Sequence, residues 1–191
     1  DGYIIPYGDS PFDHENVGEE VYLHILNHAK KYVHIMTPYL ILDDEMITAL
    51  RYCAKRGVET VIIMPHIPDK IYAYLLARTY YKQLLKYGVK IYEYTPGFVH
   101  AKQIVTEDAA IVGTINMDYR SYYLHYENGI WMSGEQIQED IREDFYATFE
   151  ESHEVSYEEW KNRPRRYKFI EPVLNLFSIL LYMIDFQQFL F

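Results

Sequence analysis

The sequence predicts an α/β sandwich built around a mixed central sheet. Three observations predict it: apolar strand-like runs alternate with helical stretches in the first half, strand-like runs then follow one another directly, and a charged helical stretch closes the series. Alternating strands and helices give crossover units that lay strands side by side in parallel. Consecutive strands pair antiparallel, so a sheet holding both kinds is mixed.

Taken in order, Tyr3-Ile4-Ile5 reads as the first strand and the pattern from Asn16 to Lys31 as the first helix. Val33-His34-Ile35-Met36 is the next strand, followed by a helix from Asp43 to Arg56. Val61-Ile62-Ile63-Met64, a helix from Lys70 to Tyr87 and Val89-Lys90-Ile91-Tyr92 repeat the alternation. From Gln103 two short strands joined by the acidic Glu107-Asp108 turn form a hairpin, and Tyr126 to Met132 adds a further strand. A charged helix from Glu135 to Glu151 closes a domain spanning residues 1–160, and residues 161–191 form a separate basic and apolar tail.

At 191 residues the chain buries one core of ordinary domain size. It carries 18 Lys and Arg against 28 Asp and Glu, a net charge of −10. Nucleic-acid binders neutralise phosphates with basic surface, so this balance disfavours nucleic acid as a partner. Cys53, in a helical pattern, reads as core, since one thiol forms neither an internal disulfide nor a zinc cluster. His24, His28 and His34 lack carboxylate or cysteine partners at ligand spacing, so no metal site is expected. Many of the 21 tyrosines fall at core-like helical positions, Tyr72 and Tyr80 among them, which weakens any reading of them as a stacking surface.

The chemistry concentrates in Phe98-Val-His-Ala-Lys-Gln and Gly113-Thr-Ile-Asn. Read as a strand, residues 100–102 put His100 and Lys102 on one face while Ala101 points away. The hairpin brings Thr114 and Asn116 back beside that pair. A phosphoryl group needs donors around its oxygens and a positive charge, and Lys102, Thr114 and Asn116 supply these without a metal. His100 is then placed to attack phosphorus.

Alone, a His-x-Lys pair is common. Here His100-Ala-Lys102, an acidic turn and Gly113-Thr114-Ile-Asn116-Met-Asp118-Tyr-Arg120-Ser121 together resemble the HKD motif, H-x-K-x4-D-x6-G-S-x-N, of the phospholipase D superfamily. The continuation, with Thr37-Pro-Tyr-Leu, Pro65-His-Ile-Pro-Asp-Lys and Tyr92-Glu-Tyr-Thr-Pro-Gly-Phe, is similar to the carboxy-terminal half of Gram-positive cardiolipin synthases from about Tyr3 to Phe169. The resemblance implies a phospholipase D-like α-β-α sandwich and phosphatidyl transfer between two phosphatidylglycerol molecules, through phosphohistidine and with release of glycerol. It calls for no cofactor and places the protein at the bacterial cytoplasmic membrane. Two departures stand out: Lys102 to Gly113 is one residue shorter than the pattern, leaving either Glu107 or Asp108 at the motif acid, and Thr114 replaces serine but keeps the hydroxyl.

Family members carry two such motifs after hydrophobic segments. This sequence holds one and starts at Asp1, so it reads as half of a longer enzyme, completed by an amino-terminal HKD half or a second copy. Glu127 matches the family glutamate that orients the motif histidine, and the resemblance implies that it holds His100; His125, two residues away, is a rival for local pairing. Tyr39 and His66 fall at strand ends, where α/β sites form, and are expected to contact substrate. Arg120 meets a phosphate or headgroup, or pairs with Asp118. Other readings are a homodimeric phosphodiesterase of phospholipase or nuclease type, and a non-catalytic membrane-binding fragment.

In the tail, Arg163, Arg165, Arg166 and Lys168 precede an apolar stretch from Pro172 to Phe191. That is about the ~20 residues of a spanning helix, yet Asn175, Asp185, Gln187 and Gln188 are costly in hydrocarbon. An interfacial anchor on an anionic membrane fits better, with docking on the protein itself as the other reading.

Overall fold

Alternating burial along single strands explains the layers. In β2 (Tyr32–Met36), β4 (Glu59–Pro65), β6 (Gln103–Thr106) and β7 (Ala110–Gly113), neighbouring residues enter opposite cores. Ile35, Ile62, Ile104 and Ile111 pack into a large cluster, while Met36, Ile63, Val105 and Ala110 pack into a smaller one around Phe145. α1 (Val17–His28), α2 (Asp44–Lys55) and α3 (Ile71–Lys86) cover the first face, and α5 (Glu135–Glu150) covers the second. The computed structural model describes residues 2–176.

The remaining elements are β1 (Tyr3–Asp9), β3 (Leu40–Ile41), β5 (Lys90–Tyr94), β8 (Met117–Asp118), α4 (Tyr119–Tyr123), β9 (Glu127–Ser133), β10 (Ser152–Glu154), α6 (Tyr157–Lys161) and α7 (Arg165–Leu176). One eight-stranded sheet runs β1-β9-β7-β6-β2-β4-β5-β10. Its β2-β4-β5 section is parallel, as crossover helices require, and its β1-β9-β7-β6-β2 section is antiparallel. The α/β sandwich with a mixed sheet is therefore present, and the helices fall where the periodicity puts them, to within a few residues. β10 and α6 lie beyond the reach of periodicity because three and five residues display less than two periods.

The chain starts and stops its helices with local chemistry. The Asp43 carboxylate accepts the Met46 N–H at 2.9 Å to cap α2, and Ser156 accepts the Glu159 N–H at 3.0 Å to cap α6. Cys53 is fully buried in the larger core, and Tyr80 is buried there as well.

Two expectations need correction. Residues 100–102 are not in a strand, since β6 begins at Gln103. Ala101 nonetheless packs toward the α5-side core, while the buried Lys102 folds its Nζ back to donate to the His100 carbonyl at 2.7 Å. The basic collar is also divided. Arg163 stacks on Trp160 and makes a two-pronged ion pair with buried Glu171, Nε to Oε2 at 2.8 Å, so it serves the body of the protein.

The boundary expected after residue 160 falls inside α6, whose Trp160 is buried and donates its indole N–H to the Arg78 carbonyl at 3.1 Å. Of the tail, α7 lies against α3, and Leu174 packs on the core. Arg165, Arg166, Lys168, Phe169, Val173 and Leu176 stay exposed on its outer side. Among the described residues no helix is long and apolar enough to cross a membrane. The expected apolar segment after Leu176 lies outside the described residues.

Candidate active site

Glu127 opens β9, and three segments converge on its carboxylate. β7 ends at Gly113, opposite Gly129 of β9. A Cβ on Gly113 would lie 2.4 Å from the Asn128 carbonyl oxygen, so only glycine lets the two backbones approach this closely. The chain then turns, and Thr114 exchanges bonds with Asn128: its N–H donates to the Asn128 carbonyl at 2.9 Å, and its hydroxyl accepts the Asn128 N–H at 3.0 Å. The remaining hydroxyl hydrogen of Thr114 goes to Glu127 Oε2.

α4 supplies the other side. Asp118 caps it by accepting the Ser121 N–H at 2.8 Å, which fixes Ser121 over the carboxylate. The buried Ser121 hydroxyl donates to Glu127 Oε1 at 3.0 Å and accepts the Asn116 amide N–H at 3.1 Å. His125 completes the shell, with Nδ1 3.3 Å from Glu127 Oε1. Thr37, just after β2, ties down the loop, its hydroxyl accepting the Met117 N–H at 3.2 Å.

These groups surround a pocket of about 130 Å³ lined by Tyr39, Lys70, Tyr72, Ala73, Asn116, Asp118, Arg120, Ser121, His125 and Glu127. His100 is exposed and lies outside that lining, its ring 5.7 Å from Phe98, which in turn meets the pocket residue Tyr39 at 6.2 Å. Burial and then the Lys102 charge lower the His100 pKa, with Asp69 opposing, which favours the neutral, nucleophilic imidazole. Burial likewise lowers Lys102, offset by the fields of Glu127 and Asp118. Burial pushes Asp118 up to about 6, with the Glu127 charge adding to it and the Ser121 N–H and Arg120 pulling it down.

Several expected placements change. Thr114 and Asn116 sit on the turn and loop after β7 rather than on a strand, because the close β7–β9 approach ends the ladder at Gly113. Glu127 is bonded to Thr114, Ser121 and His125, and among the described residues its hydrogen bonds do not reach His100. Tyr39 and Arg120 do line the pocket, and so does Tyr72, which was expected in the core. His66 is bound elsewhere, its Nδ1 2.9 Å from buried Glu93.

Of the two candidates for the motif acid, Glu107 binds the backbone just after α1. Glu107 Oε1 accepts the Lys30 N–H at 2.6 Å and the Lys31 N–H at 3.2 Å, pinning the hairpin to the end of α1. Burial raises its pKa, but these backbone donors outweigh that and hold it below the usual carboxylate range. Glu107 and Asp108 line a different depression with Lys31, Tyr32 and Arg142, away from the site. Ser121, by contrast, was visible only as a letter in a motif. Nothing in its spacing from Glu127 announces a bond that depends on where α4 ends up.

The family profile for the cardiolipin synthase, PLD-like domain matches residues 22–149. The chain belongs to this family. It is 32% identical over 95% of its length to a cardiolipin synthase of Halalkalibacterium halodurans, and 38% identical over 84% to one of Clostridium perfringens. An uncharacterized Streptococcus mutans protein is 52% identical over 94% of the chain. The chain spans only 39%, 36% and 34% of the length of the Streptococcus, Halalkalibacterium and Clostridium proteins, respectively.

Solved structures share the fold. Phosphatidylserine synthase of Haemophilus influenzae superposes with a TM-score of 0.73 at 14% identity, covering 96% of this chain and 47% of that one. Nuc of Salmonella typhimurium, a phospholipase D family member, gives 0.68 at 16% identity, covering 82% of this chain and 99% of that one. The PLD-like fold unit thus makes up nearly all of one solved chain and about half of another.

Proposed function

We propose that this cardiolipin synthase-like domain is one catalytic half of a phosphatidyltransferase that moves a phosphatidyl group between two phosphatidylglycerol molecules. The bonding of Thr114, Asn116 and Ser121 around Glu127, with Lys102 in the field of that carboxylate and bonded to the His100 carbonyl, supports the reading. An imidazole nitrogen attacks phosphorus, forming N–P as the bond to the glycerol oxygen breaks, and a second imidazole gives that oxygen its proton. The second phosphatidylglycerol then gives its hydroxyl proton to that second imidazole, its oxygen bonds to phosphorus, and the N–P bond breaks with its electron pair returning to the attacking ring. His100 is one of the two imidazoles, and a second PLD-like half, in the same polypeptide or a second copy, supplies the other. Lys102 and the amide of Asn116 stabilise the charge that develops on the phosphoryl oxygens.

The exposed α7 face supports contact with an anionic bilayer, since Arg165, Arg166 and Lys168 flank Phe169, Val173 and Leu176. The test is incubation with phosphatidylglycerol vesicles, reading cardiolipin and glycerol. The paired halves should release the two products one to one, and His100→Ala should abolish both. Phosphatidic acid in place of cardiolipin would mean a phosphodiesterase instead. The isolated chain should turn over very slowly; fast metal-independent synthesis by a monomer would sink the half-enzyme reading.

A further inference from the structure

The Tyr123 hydroxyl on α4 lies 2.7 Å from Glu19 Oε2 on α1 and 2.7 Å from Asp43 Oδ2 at the cap of α2. A hydroxyl has one hydrogen to give, so it satisfies one carboxylate and turns a lone pair toward the other. With both acids ionised, two negative groups and that lone pair would crowd a largely buried space. One added proton removes the conflict: the first carboxyl donates to the Tyr123 oxygen, and Tyr123 donates to the second. Asp43 suits the charged end, because its Oδ1 already accepts the Met46 N–H at 2.9 Å at the N-terminus of α2. Glu19 suits the neutral end, being 5% exposed, with Oε1 lacking a hydrogen-bond partner among the described residues. Burial, and after it the adjacent Asp43, push Glu19 up to about 7, with the Tyr123 bond pulling it down. The groups facing it are Asp43 and Glu45 from α2, Tyr122 and Tyr123 on α4, and Asp9 at the end of β1, which binds the adjacent Gly18 N–H. All of these are neutral or acidic, so none of them offsets a charge on Glu19.

We propose that Glu19, Asp43 and Tyr123 are positioning residues of the pocket: the two carboxyl groups share one proton through the Tyr123 hydroxyl, and this bonded chain ties α4 to α1 and α2. α4 is five residues long, and its other tie is Ser121, which holds Glu127 Oε1 and the Asn116 amide. Ser121 and Tyr123 are two residues apart on that one turn, so fixing the second places the first. When the shared proton leaves, the two carboxylates repel, Tyr123 keeps only one of them, and α4 shifts with Ser121. Because the folded pKa of Glu19 is raised from 4.5, its contribution to stability is fully present below pH 4.5 and is lost as pH rises through 7. The proton sharing stands on the geometry of three side chains; only its consequence for catalysis rests on the phosphoryl-transfer reading of the pocket.

NMR titration of the 191-residue chain tests both parts. The Glu19 side-chain carboxyl carbon should titrate with a midpoint near 7, and a midpoint at or below 4.5 overturns the shared proton. The Asn116 side-chain amide resonances should shift over the same range. Asp118, pushed up to about 6, moves them as well, so a variant isolates the Glu19 step. Glu19→Gln keeps an N–H for the Tyr123 oxygen and cannot ionise. It should remove the part of the Asn116 shift centred near 7 and hold those resonances in their low-pH form; an Asn116 titration identical to wild type overturns the positioning role. The folding equilibrium constant of Glu19→Gln relative to wild type should also rise by about 10²-fold between pH 4.5 and about pH 8, and a constant ratio counts against the proton. Tyr123→Phe, which removes the bridge, should displace the Asn116 resonances at every pH, and resonances that stay in place overturn the link through α4. None of these readouts needs turnover, so they stand or fall separately from the phosphoryl-transfer reading, which the vesicle assay decides.

Discussion

Glu93 and Glu127 are both buried carboxylates beside an imidazole, in opposite halves of one sheet, and they are held by opposite means. In the parallel half, Glu93 faces the Arg78 guanidinium at 2.7 Å, with Tyr81 donating at 3.2 Å and His66 Nδ1 at 2.9 Å. In the antiparallel half, Glu127 is met by the hydroxyls of Thr114 and Ser121 and by His125. A guanidinium in contact neutralises a carboxylate and closes the pair; hydroxyls satisfy its lone pairs and leave its charge acting on its surroundings. The first arrangement suits scaffold. The second suits a pocket, where the same carboxylate field reaches Lys102 and Asp118.

The largest expected effect comes from stripping Glu93 of its cation. Arg78→Met should destabilise the domain by about 3–5 kcal/mol in urea unfolding, the cost of leaving a buried charge unpaired. A loss below about 1 kcal/mol would mean that the tyrosines and His66 suffice, and the contrast between the halves would collapse.

Asp118 probes the other centre. Its folded pKa of about 6 exceeds the unfolded value near 3.8, so its contribution to stability is fully present below pH 4 and is lost as pH rises through 6. Asn keeps the cap acceptor without the charge. Asp118→Asn should therefore gain relative to wild type between pH 4 and pH 7, by about 3 kcal/mol for a shift of roughly two units. Parallel stability curves for the two proteins would show that Asp118 is ionised at no cost.

Smaller again is removal of one hydroxyl. Ser121→Ala should cost about 1–2 kcal/mol, since it leaves Glu127 Oε1 and the Asn116 amide each short of a partner; an unchanged unfolding midpoint would mean that water replaces the hydroxyl freely. The subtlest effect is electrostatic. Lys102→Met should raise the NMR titration midpoint of His100, because the ammonium is one cause of its depression, and a midpoint that falls would refute the coupling.

Much of this was legible in the linear sequence because it depends on short spacings. Helices α1, α2, α3 and α5 follow from periodicity, while motif spacing nominates His100, Lys102, Thr114 and Asn116 and the family resemblance nominates Glu127. What stayed hidden depends on long separations. Glu107 bonds amides 76 and 77 residues away, and His66 meets Glu93 across 27 residues and two adjacent parallel strands. Tyr72 fits a core-like helical pattern but faces the pocket, because helical phase does not say which neighbour a face will meet.

The sequence by itself determined the α/β architecture, the family and the inventory of candidate site groups, since hydrophobic period and residue spacing are local quantities. Tertiary structure alone decided which imidazole Glu127 touches, that Ser121 joins Asn116 to Glu127, and that Glu107 pins the hairpin to the backbone just after α1. Those outcomes turn on hydrogen bonds of about 3 Å between separate segments, and only the packing of β7, α4 and β9 brings their donors and acceptors within that reach.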